Sequence, residues 1–385
     1  MSETDSARAR LRQARRIVVK VGSGILTDAG GARARIFGEI ARQVCSLCDA
    51  GREVVVVSSG AIALGGRELG WSHPGRSIPE KQAAAAVGQI ALSSIYKQRF
   101  ARYGRHAAQV LVTRTGLQQH ERFLNARRTL QALIALGAIP IVNENDTVAT
   151  EEIRFGDNDN LSATVVNLIG ADLLVIATDV DGLHESPPLP DRPKPPLFEV
   201  VERITAEVER AAGGSSSAFG RGGMTTKLEA ARAAARCGAA TVICNGRSRD
   251  VLLRVAGGEN VGTLFVTGSR LNSRKHWLAF TTRTRGELRL DAGAVRALVE
   301  GGKSLLPTGI TEVRGKFGIG DPVACLDPQG LEIARGLSAY ASDAASRIAG
   351  LPTRKIVQVL GYSNGDEVIH RDDLVLVEPD AEPQR

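Results

Sequence analysis

The chain has 385 residues with 43% hydrophobic and 24% charged side chains, and its formal net charge is +7. A protein of this size and composition is globular and has two or three domains. No apolar run approaches the roughly 20 residues of a membrane span, and the arginine-rich segment Met1–Arg16 lacks the apolar stretch of a secretory signal. These features argue against a membrane partner and predict a cytoplasmic protein. The scattered cysteines and histidines predict neither a disulfide framework nor a metal site.

The positive charge is unevenly distributed along the chain. The segment from Leu271 to Arg385 carries 15 basic and 15 acidic residues, so the whole excess lies before it. We predict a solvated basic tail over residues 1–14. The balanced charge after residue 270 disfavours RNA as a partner, because binding phosphates normally requires an excess of Lys and Arg. A local basic patch remains open as an alternative, formed by Arg285, Arg289, Lys303, Arg314 and Lys316.

Short β-branched runs alternate with longer helical patterns over the first two-thirds of the chain. Continuous apolar strands separated by helices are typical of a buried, mostly parallel sheet, so we predict a layered α/β domain. The predicted strands are Arg16–Val21, Glu53–Ser58, Ala107–Val112, Ile139–Asn143, Leu173–Thr178 and Ala240–Cys244. The predicted helices are Arg35–Ala50, Glu80–Tyr103, Arg122–Leu136, Leu161–Ile169 and Thr226–Cys237.

The character of the sequence changes after about Gly268. Short strand-like runs and Gly turns follow, with one helical stretch, Ala292–Glu300, which predicts a small β-rich, barrel-like domain. We therefore place a catalytic domain over residues 15–268, a second domain over 277–377 and a short tail over 378–385. Within the first domain, the Gly- and Ser-rich segment Ala212–Gly223 is expected to be a mobile loop.

Glycine-rich elements follow two of the predicted strands. Lys20 to Gly24 (KVGSG) comes after the first strand, where glycines let the backbone approach phosphate oxygens and Lys20 places a cation on them. Ser58 to Ala61 (SSGA) closes the second strand and opens a helix, an arrangement that suits a carboxylate. Each element taken alone is weak evidence, since a turn or a helix cap explains it equally well.

A dense polar cluster distinguishes the middle of the chain. Asn143 to Asp146 (NEND) is followed by Gly156 to Asn160 (GDNDN), and such residues form a poor core but a good polar site. Amides and carboxylates at this place can bind an ammonium group and hold lysines in position. The cluster therefore favours a binding function over a purely structural one.

The last element joins Thr178 to Gly182 (TDVDG) with Gly220 to Lys227 (GRGGMTTK), which opens a helix. Backbone amides, hydroxyls and a lysine there suit a polyphosphate. Neither a Walker A motif nor the protein-kinase triplets are present, and no catalytic base is evident. A carboxylate acceptor is already ionised at pH 7 and needs no base, so the pattern indicates phosphoryl transfer to a carboxylate.

Taken together, these motifs resemble the glutamate 5-kinases of the amino-acid kinase family, and the segments LLPTGITEV, FGIGDPVAC and GLEIARGLSAY resemble a PUA domain. The resemblance covers essentially residues 17–376. It implies a three-layer α/β/α kinase domain, with ATP and L-glutamate converted to ADP and L-glutamyl 5-phosphate, the first step of proline biosynthesis. It further implies Mg²⁺, inhibition by proline and a homo-oligomer, either a dimer or a tetramer. The labile product makes a transient contact with glutamyl phosphate reductase a candidate interaction.

The resemblance also implies roles for individual residues. Lys20 and Lys227 would stabilise the transferring phosphoryl group, and Asp159 would orient them. Glutamate would be bound by Ser59, Asp146 and Asn158. The residues implied for ATP are Lys20, Thr178, Asp179, Arg221, Gly222, Gly223, Met224, Thr225, Thr226 and Lys227. Two positions depart from the family, because Arg221 and Gly24 stand where small hydroxyl residues are common.

Several alternatives stay open at this point. Another member of the same family would phosphorylate aspartate, N-acetylglutamate or a nucleoside monophosphate. A protein of a different class would bind RNA through the PUA-like domain. That domain could also serve only regulation or assembly.

Overall fold

The computed structural model describes residues 3–28, 31–73, 75–118, 120–148, 158–186, 188, 192–213, 223–266 and 284–377. The chain divides into two compact units, Met1–Arg270 and Leu271–Arg385. The predicted tail over residues 378–385 lies outside the described residues, as does most of the segment predicted to be a mobile loop, residues 214–222.

The larger unit is built on an eight-stranded sheet in the order β5-β6-β4-β1-β7-β9-β10-β8. Neighbouring strands are parallel except for the antiparallel pair of β9 and β10, which confirms the predicted α/β class. A separate antiparallel pair is formed by β2 and β3. The strands are β1 (Arg16–Val21), β2 (Thr27–Asp28), β3 (Gly31–Ala32), β4 (Glu53–Ser58), β5 (Ala107–Val112), β6 (Ile139–Glu144), β7 (Leu173–Thr178), β8 (Val200–Val201), β9 (Ala240–Asn245) and β10 (Thr263–Phe265).

Helices pack on both faces of this sheet. One apolar core joins the sheet to α3, α5 and α11, and a second joins the opposite face to α7, α8 and α10. All predicted strands and helices of this unit are present, with ends displaced by at most three residues. The helices are α1 (Glu3–Ala9), α2 (Ser23–Leu26), α3 (Ala34–Asp49), α4 (Ala61–Glu68), α5 (Ile78–Ala101), α6 (Arg114–Gln118), α7 (His120–Ala135), α8 (Asn158–Ile169), α9 (Ala206–Ala212), α10 (Met224–Arg236) and α11 (Val251–Ala256), with a short 3-10 turn at Arg10–Gln13.

The N-terminal residues are not the solvated tail that the composition predicted. Residues 3–9 form α1, and the side chain of Arg8 is only 2% exposed. Its guanidinium donates to four backbone carbonyls, those of Glu199, Glu259, Val261 and Gly262, at 2.8–3.0 Å. The number of arginines indicated the charge of this segment but not which groups each arginine contacts. Arg8 is buried because its hydrogen-bond partners are backbone carbonyls far along the chain.

We expect Arg8→Ala to destabilise the larger unit by about 3 kcal/mol, because it leaves several buried carbonyls without a donor. Chemical denaturation of the full chain measures this as a lower midpoint for that unit. Arg10→Ala is the matched control, since Arg10 lies on the exposed side of the same segment. Equal midpoints for the two variants would contradict the anchoring role of Arg8.

The smaller unit contains a five-stranded sheet in the order β12-β11-β13-β14-β15, which confirms the predicted small β-rich domain. Three members of its candidate basic patch are paired with carboxylates: Arg285 with Asp321, and both Arg289 and Arg314 with Glu312. Its elements are β11 (Gly286–Leu290), α12 (Ala292–Val299), β12 (Ile310–Gly315), β13 (Pro322–Leu326), β14 (Glu332–Leu337), α13 (Ser342–Ile348), α14 (Ile356–Leu360) and β15 (Leu374–Leu376), with 3-10 turns at Pro307–Gly309, Thr353–Lys355 and Arg371–Asp373.

Candidate active site

Of the polar residues singled out in the sequence, those that the structure describes lie at one edge of the larger sheet. Strands β6, β4, β1, β7 and β9 run parallel, so their carboxyl ends meet at that edge. Open α/β sheets bind their ligands there. The segments that follow these strand ends, together with the first turns of α8 and α10, form the candidate site.

Strand alternation decides where Lys20 points. Successive side chains of a strand face opposite sides of the sheet, and Val18 belongs to the core that β1 shares with α8. Lys20 therefore extends toward α8, and its ammonium nitrogen lies 2.5 Å from Asp159 Oδ1. Asp159 is the second residue of α8, so a strand and a helix more than a hundred residues apart in sequence meet in this ion pair.

Lys227 approaches the other oxygen of the same carboxylate. It lies in the first turn of α10, and its Nζ is 3.2 Å from Asp159 Oδ2. The Thr226 hydroxyl is 2.8 Å from that oxygen and 2.9 Å from the carbonyl oxygen of Gly223. Lys20, Asp159 and Lys227 are 7%, 2% and 5% exposed, so the lysine–aspartate–lysine cluster is almost fully buried.

Two positive charges around one carboxylate dominate the electrostatics of the cluster. Burial alone would raise the pKa of Asp159, but the charges of Lys20 and Lys227 outweigh it and lower the pKa to about 2. Burial lowers the pKa of Lys227, an effect that Asp159 opposes and Lys20 increases. The cluster has a net positive charge when both lysines are protonated, which suits an anionic ligand.

A second group of polar contacts surrounds Asn158, the first residue of α8. The two protons of its Nδ2 are shared among three acceptors, the Ser58 main-chain oxygen at 3.0 Å, Ser59 Oγ at 2.9 Å and Asn143 Oδ1 at 2.9 Å. The structure thereby joins the SSGA turn, the NEND strand end and the GDNDN helix start. Asp146 is half-buried in the turn that follows β6.

The turn after β1 lies beside the end of β7. The Gly22 amide donates to the Ala177 carbonyl at 3.0 Å, and a Cβ at Gly24 would lie 3.3 Å from Asp179 Oδ2. Thr178 is buried and its hydroxyl donates to Asp179 Oδ1 at 3.1 Å. A side chain at position 24 would therefore require the Asp179 carboxylate to shift by a few tenths of an ångström.

The residues predicted for ATP come together only in part. Gly223 caps α10, and Met224, Thr225, Thr226 and Lys227 form its first turn, with Met224 buried and Thr225 exposed. Arg221 and Gly222 lie outside the described residues, as do Gly156 and Asp157.

Sequence reasoning missed two residues at this edge. Arg247, after β9, donates from Nη2 to the Gly24 carbonyl at 2.8 Å, and Gln89 in α5 accepts from Asn143 Nδ2 at 2.8 Å. Neither stands in a recognisable motif. Polar residues in an Ala-rich helix or in a Gly-containing turn look like ordinary solvated positions until the fold is known.

Comparison with known proteins decides the family. The model of the amino acid kinase family matches residues 15–245, and the model of the PUA domain matches residues 286–360. A glutamate 5-kinase from Cupriavidus metallidurans is 50% identical over 372 residues, covering 95% of this chain and 99% of that protein. This chain belongs to the amino acid kinase family, among its glutamate 5-kinases.

A second relative agrees with this placement. A glutamate 5-kinase from Geobacter sulfurreducens is 50% identical over 369 residues, with 95% of this chain and 99% of that protein covered. Among solved structures, the carbamate kinase from Giardia lamblia bound to AMP-PNP is a distant neighbour, with 14% identity, a TM-score of 0.48 and coverage of 67% of this chain and 100% of that chain.

Within the described ranges, no helix is long and apolar enough to span a membrane. In the same ranges, no group of three or more His, Cys, Asp and Glu side chains could hold a metal ion.

Proposed function

We propose that this chain transfers the γ-phosphoryl group of ATP to the side-chain carboxylate of L-glutamate, giving ADP and L-glutamyl 5-phosphate. The observation that carries the proposal is the buried cluster of Lys20, Asp159 and Lys227. A kinase with a carboxylate acceptor must bring two anions together, and this cluster presents two ammonium groups held by one carboxylate. The relatives named glutamate 5-kinase support glutamate as the acceptor.

Phosphoryl transfer to a carboxylate requires charge stabilisation more than proton transfer. The glutamate side chain, with a pKa near 4, reaches the site already ionised and attacks the γ-phosphorus directly. Negative charge spreads over the three equatorial oxygens while the bond to the ADP oxygen breaks. Lys20 and Lys227 stabilise that charge in a site from which most water is excluded, where such an interaction is strongest.

Asp159 serves the reaction without touching the phosphoryl group. Its carboxylate lies between the two ammonium groups and reduces their mutual repulsion, which holds the two lysine side chains close together. Because both of its oxygens are used in this way, we do not assign it to metal binding. Mg²⁺ would reach the site bound to the phosphates of ATP and would offset their charge there.

Substrates would occupy the two sides of this cluster. Ser59, Asp146 and Asn158, at the ends of β4 and β6 and the start of α8, would bind glutamate. Thr178, Asp179 and residues 221–227 would bind ATP on the side of β7 and α10. Inhibition by proline, assembly as a dimer or tetramer and transfer of the product to glutamyl phosphate reductase are further parts of this proposal, supported by the family resemblance.

The proposed function is tested by measuring ADP release from MgATP with a panel of acceptors: L-glutamate, L-aspartate, N-acetyl-L-glutamate and UMP. We expect turnover with glutamate to exceed that with each of the others by at least about a hundredfold in kcat/KM, because an acceptor one methylene shorter or N-blocked misplaces its carboxylate or ammonium. Trapping the acyl phosphate with hydroxylamine identifies the product. Turnover with aspartate but not with glutamate would contradict the proposal.

A further inference from the structure

A line of side-chain hydrogen bonds leads from the candidate glutamate site into α5. Asn158 Nδ2 donates to Asn143 Oδ1 at 2.9 Å, and Asn143 Nδ2 donates to Gln89 Oε1 at 2.8 Å. Gln89 Nε2 donates to Ser93 Oγ at 3.1 Å, and Ser93 donates to Gln109 Oε1 at 2.7 Å. The line thus ends on β5, an edge strand of the sheet.

The direction of the first three bonds in this line follows from one main-chain atom. The Ser58 carbonyl oxygen can only accept, so the atom of Asn158 beside it must be the amide nitrogen. That nitrogen must then meet the oxygen of Asn143, which turns the nitrogen of Asn143 toward Gln89. Gln89 must therefore present its oxygen to Asn143 and its nitrogen to Ser93.

This polarity prepares the site for an α-amino acid. Ser59 Oγ accepts a hydrogen bond from Asn158, so the Ser59 proton is directed elsewhere and suits a substrate carboxylate. The nitrogen of Asn158 is engaged by the protein, so Oδ1 is the atom with which Asn158 accepts from a ligand, such as an ammonium group. A reversed amide at Asn143 would set two NH₂ groups against each other and disturb both features.

The backbone of α5 holds Gln89 at a fixed distance from this site. Gly88 precedes it, and a Cβ added to Gly88 would lie 1.9 Å from the Ala61 carbonyl oxygen. A Cβ added to Gly65 of α4 would lie 1.7 Å from the Ala84 carbonyl oxygen. The two helices therefore cross in direct backbone contact, one residue away from Gln89 and just after the Ser58–Gly60 turn.

We propose that Gln89 is a positioning residue for glutamate recognition: its Oε1 holds the amide of Asn143 in the orientation that orders Asn158 and Ser59. The inference rests on the proposed function of this site. Gln89 touches no substrate in this role. It acts through Asn143, and only its acceptor atom is required.

Replacing Gln89 by residues that differ only in that acceptor tests the inference. Gln89→Met keeps the length and helix propensity of the side chain but has no oxygen, and we expect the KM for glutamate to rise about tenfold, since a lost hydrogen bond changes an equilibrium by about that factor. The kcat and the KM for ATP should change less than about twofold. Gln89→Glu retains an acceptor for Asn143 and should stay within about threefold of the parent KM.

Gln98→Met is the matched control on the same helix. Gln98 Nε2 donates to Ser94 Oγ at 3.3 Å, the same Gln–Ser spacing as Gln89 and Ser93, but both residues are exposed. We expect its KM for glutamate to equal that of the parent. A parent-like KM in Gln89→Met, or an equal rise in Gln89→Met and Gln89→Glu, would overturn the inference.

A failure of the Gln89 inference can be distinguished from a failure of the proposed glutamate kinase function. Calorimetric titration of glutamate into the full chain without ATP measures the same interaction as a dissociation constant, and it should show the same order among the three variants. If the parent chain phosphorylates another amino acid and not glutamate, the proposed function fails, and the ratio of KM values with that amino acid still tests Gln89.

Discussion

Lys227→Met should lower kcat by a hundredfold or more while leaving the KM for glutamate nearly unchanged. The substitution removes one ammonium group from the transferring phosphoryl group but keeps a side chain of similar length. A single preorganised electrostatic stabiliser commonly contributes a factor of this size. The residues proposed to bind glutamate lie on other elements, at the start of α8 and after β4 and β6. Initial rates at saturating and limiting glutamate separate the two parameters.

The control for this prediction is Lys97→Met, the same change at an exposed position of α5. It should leave both kinetic parameters within about twofold of the parent. An unchanged kcat in Lys227→Met would remove this lysine from the mechanism. A raised KM with unchanged kcat would assign it to ground-state binding instead.

Asp159→Asn should damage both the reaction and the fold. The amide keeps the shape of the side chain but no longer balances two buried ammonium groups, and removing one partner of a buried ionic cluster costs about 3–5 kcal/mol. Burial already lowers the pKa of Lys227 and Asp159 opposes that effect, so without the carboxylate this pKa should fall further and the charged form of the lysine should be less stable. We therefore expect kcat to drop by at least a hundredfold.

Acid denaturation checks the electrostatic part of this prediction. The pKa of Asp159 is lowered from its ordinary 3.8 to about 2, so its charged form stabilises the fold at pH values above about 4. That contribution is lost as the pH falls from about 4 through 2, because the carboxyl group becomes protonated. The difference in unfolding free energy between the parent and Asp159→Asn should accordingly narrow over that range.

Glu68→Gln provides the matched carboxylate-to-amide change on an exposed position of α4. It should show neither the loss of stability nor the loss of turnover. A pH-independent stability difference in Asp159→Asn would mean that shape, and not charge, makes Asp159 important. Full activity in that variant would contradict its role in holding the lysines.

The arrangement of the larger sheet was predictable because its strands are buried on both faces. Such strands are continuous apolar runs, for example Val54 to Val57, and they are separated by helices with an apolar stripe. Their ends carry Gly, Ser, Asn and Asp residues, and these mark the edge where ligands bind. The positions of Lys20, Ser59 and Asp159 at that edge follow from this pattern.

The N-terminal segment shows where composition misleads. Arg8 stands in an arginine-rich stretch, which suggested a solvated tail. Its partners are four carbonyl oxygens between residues 199 and 262, and backbone acceptors leave no signature in a sequence. Gln89 and Arg247 were missed for a related reason. Each is linked to this edge by a hydrogen bond to a residue far away in the sequence, and such a contact leaves no pattern in the residues around it.

The sequence by itself determined the α/β class, the two-part organisation and the residues from which a phosphoryl-transfer site could be built. These properties depend on periodicity and on local motifs, which are written in consecutive residues. Only the tertiary structure decided that Lys20 and Lys227 meet on one carboxylate and that Asn158 joins Ser59 to Asn143. Those contacts arise when strand alternation and helix packing bring distant segments together. The resulting burial lowers the local dielectric constant and so strengthens the electrostatic interactions between the charged groups.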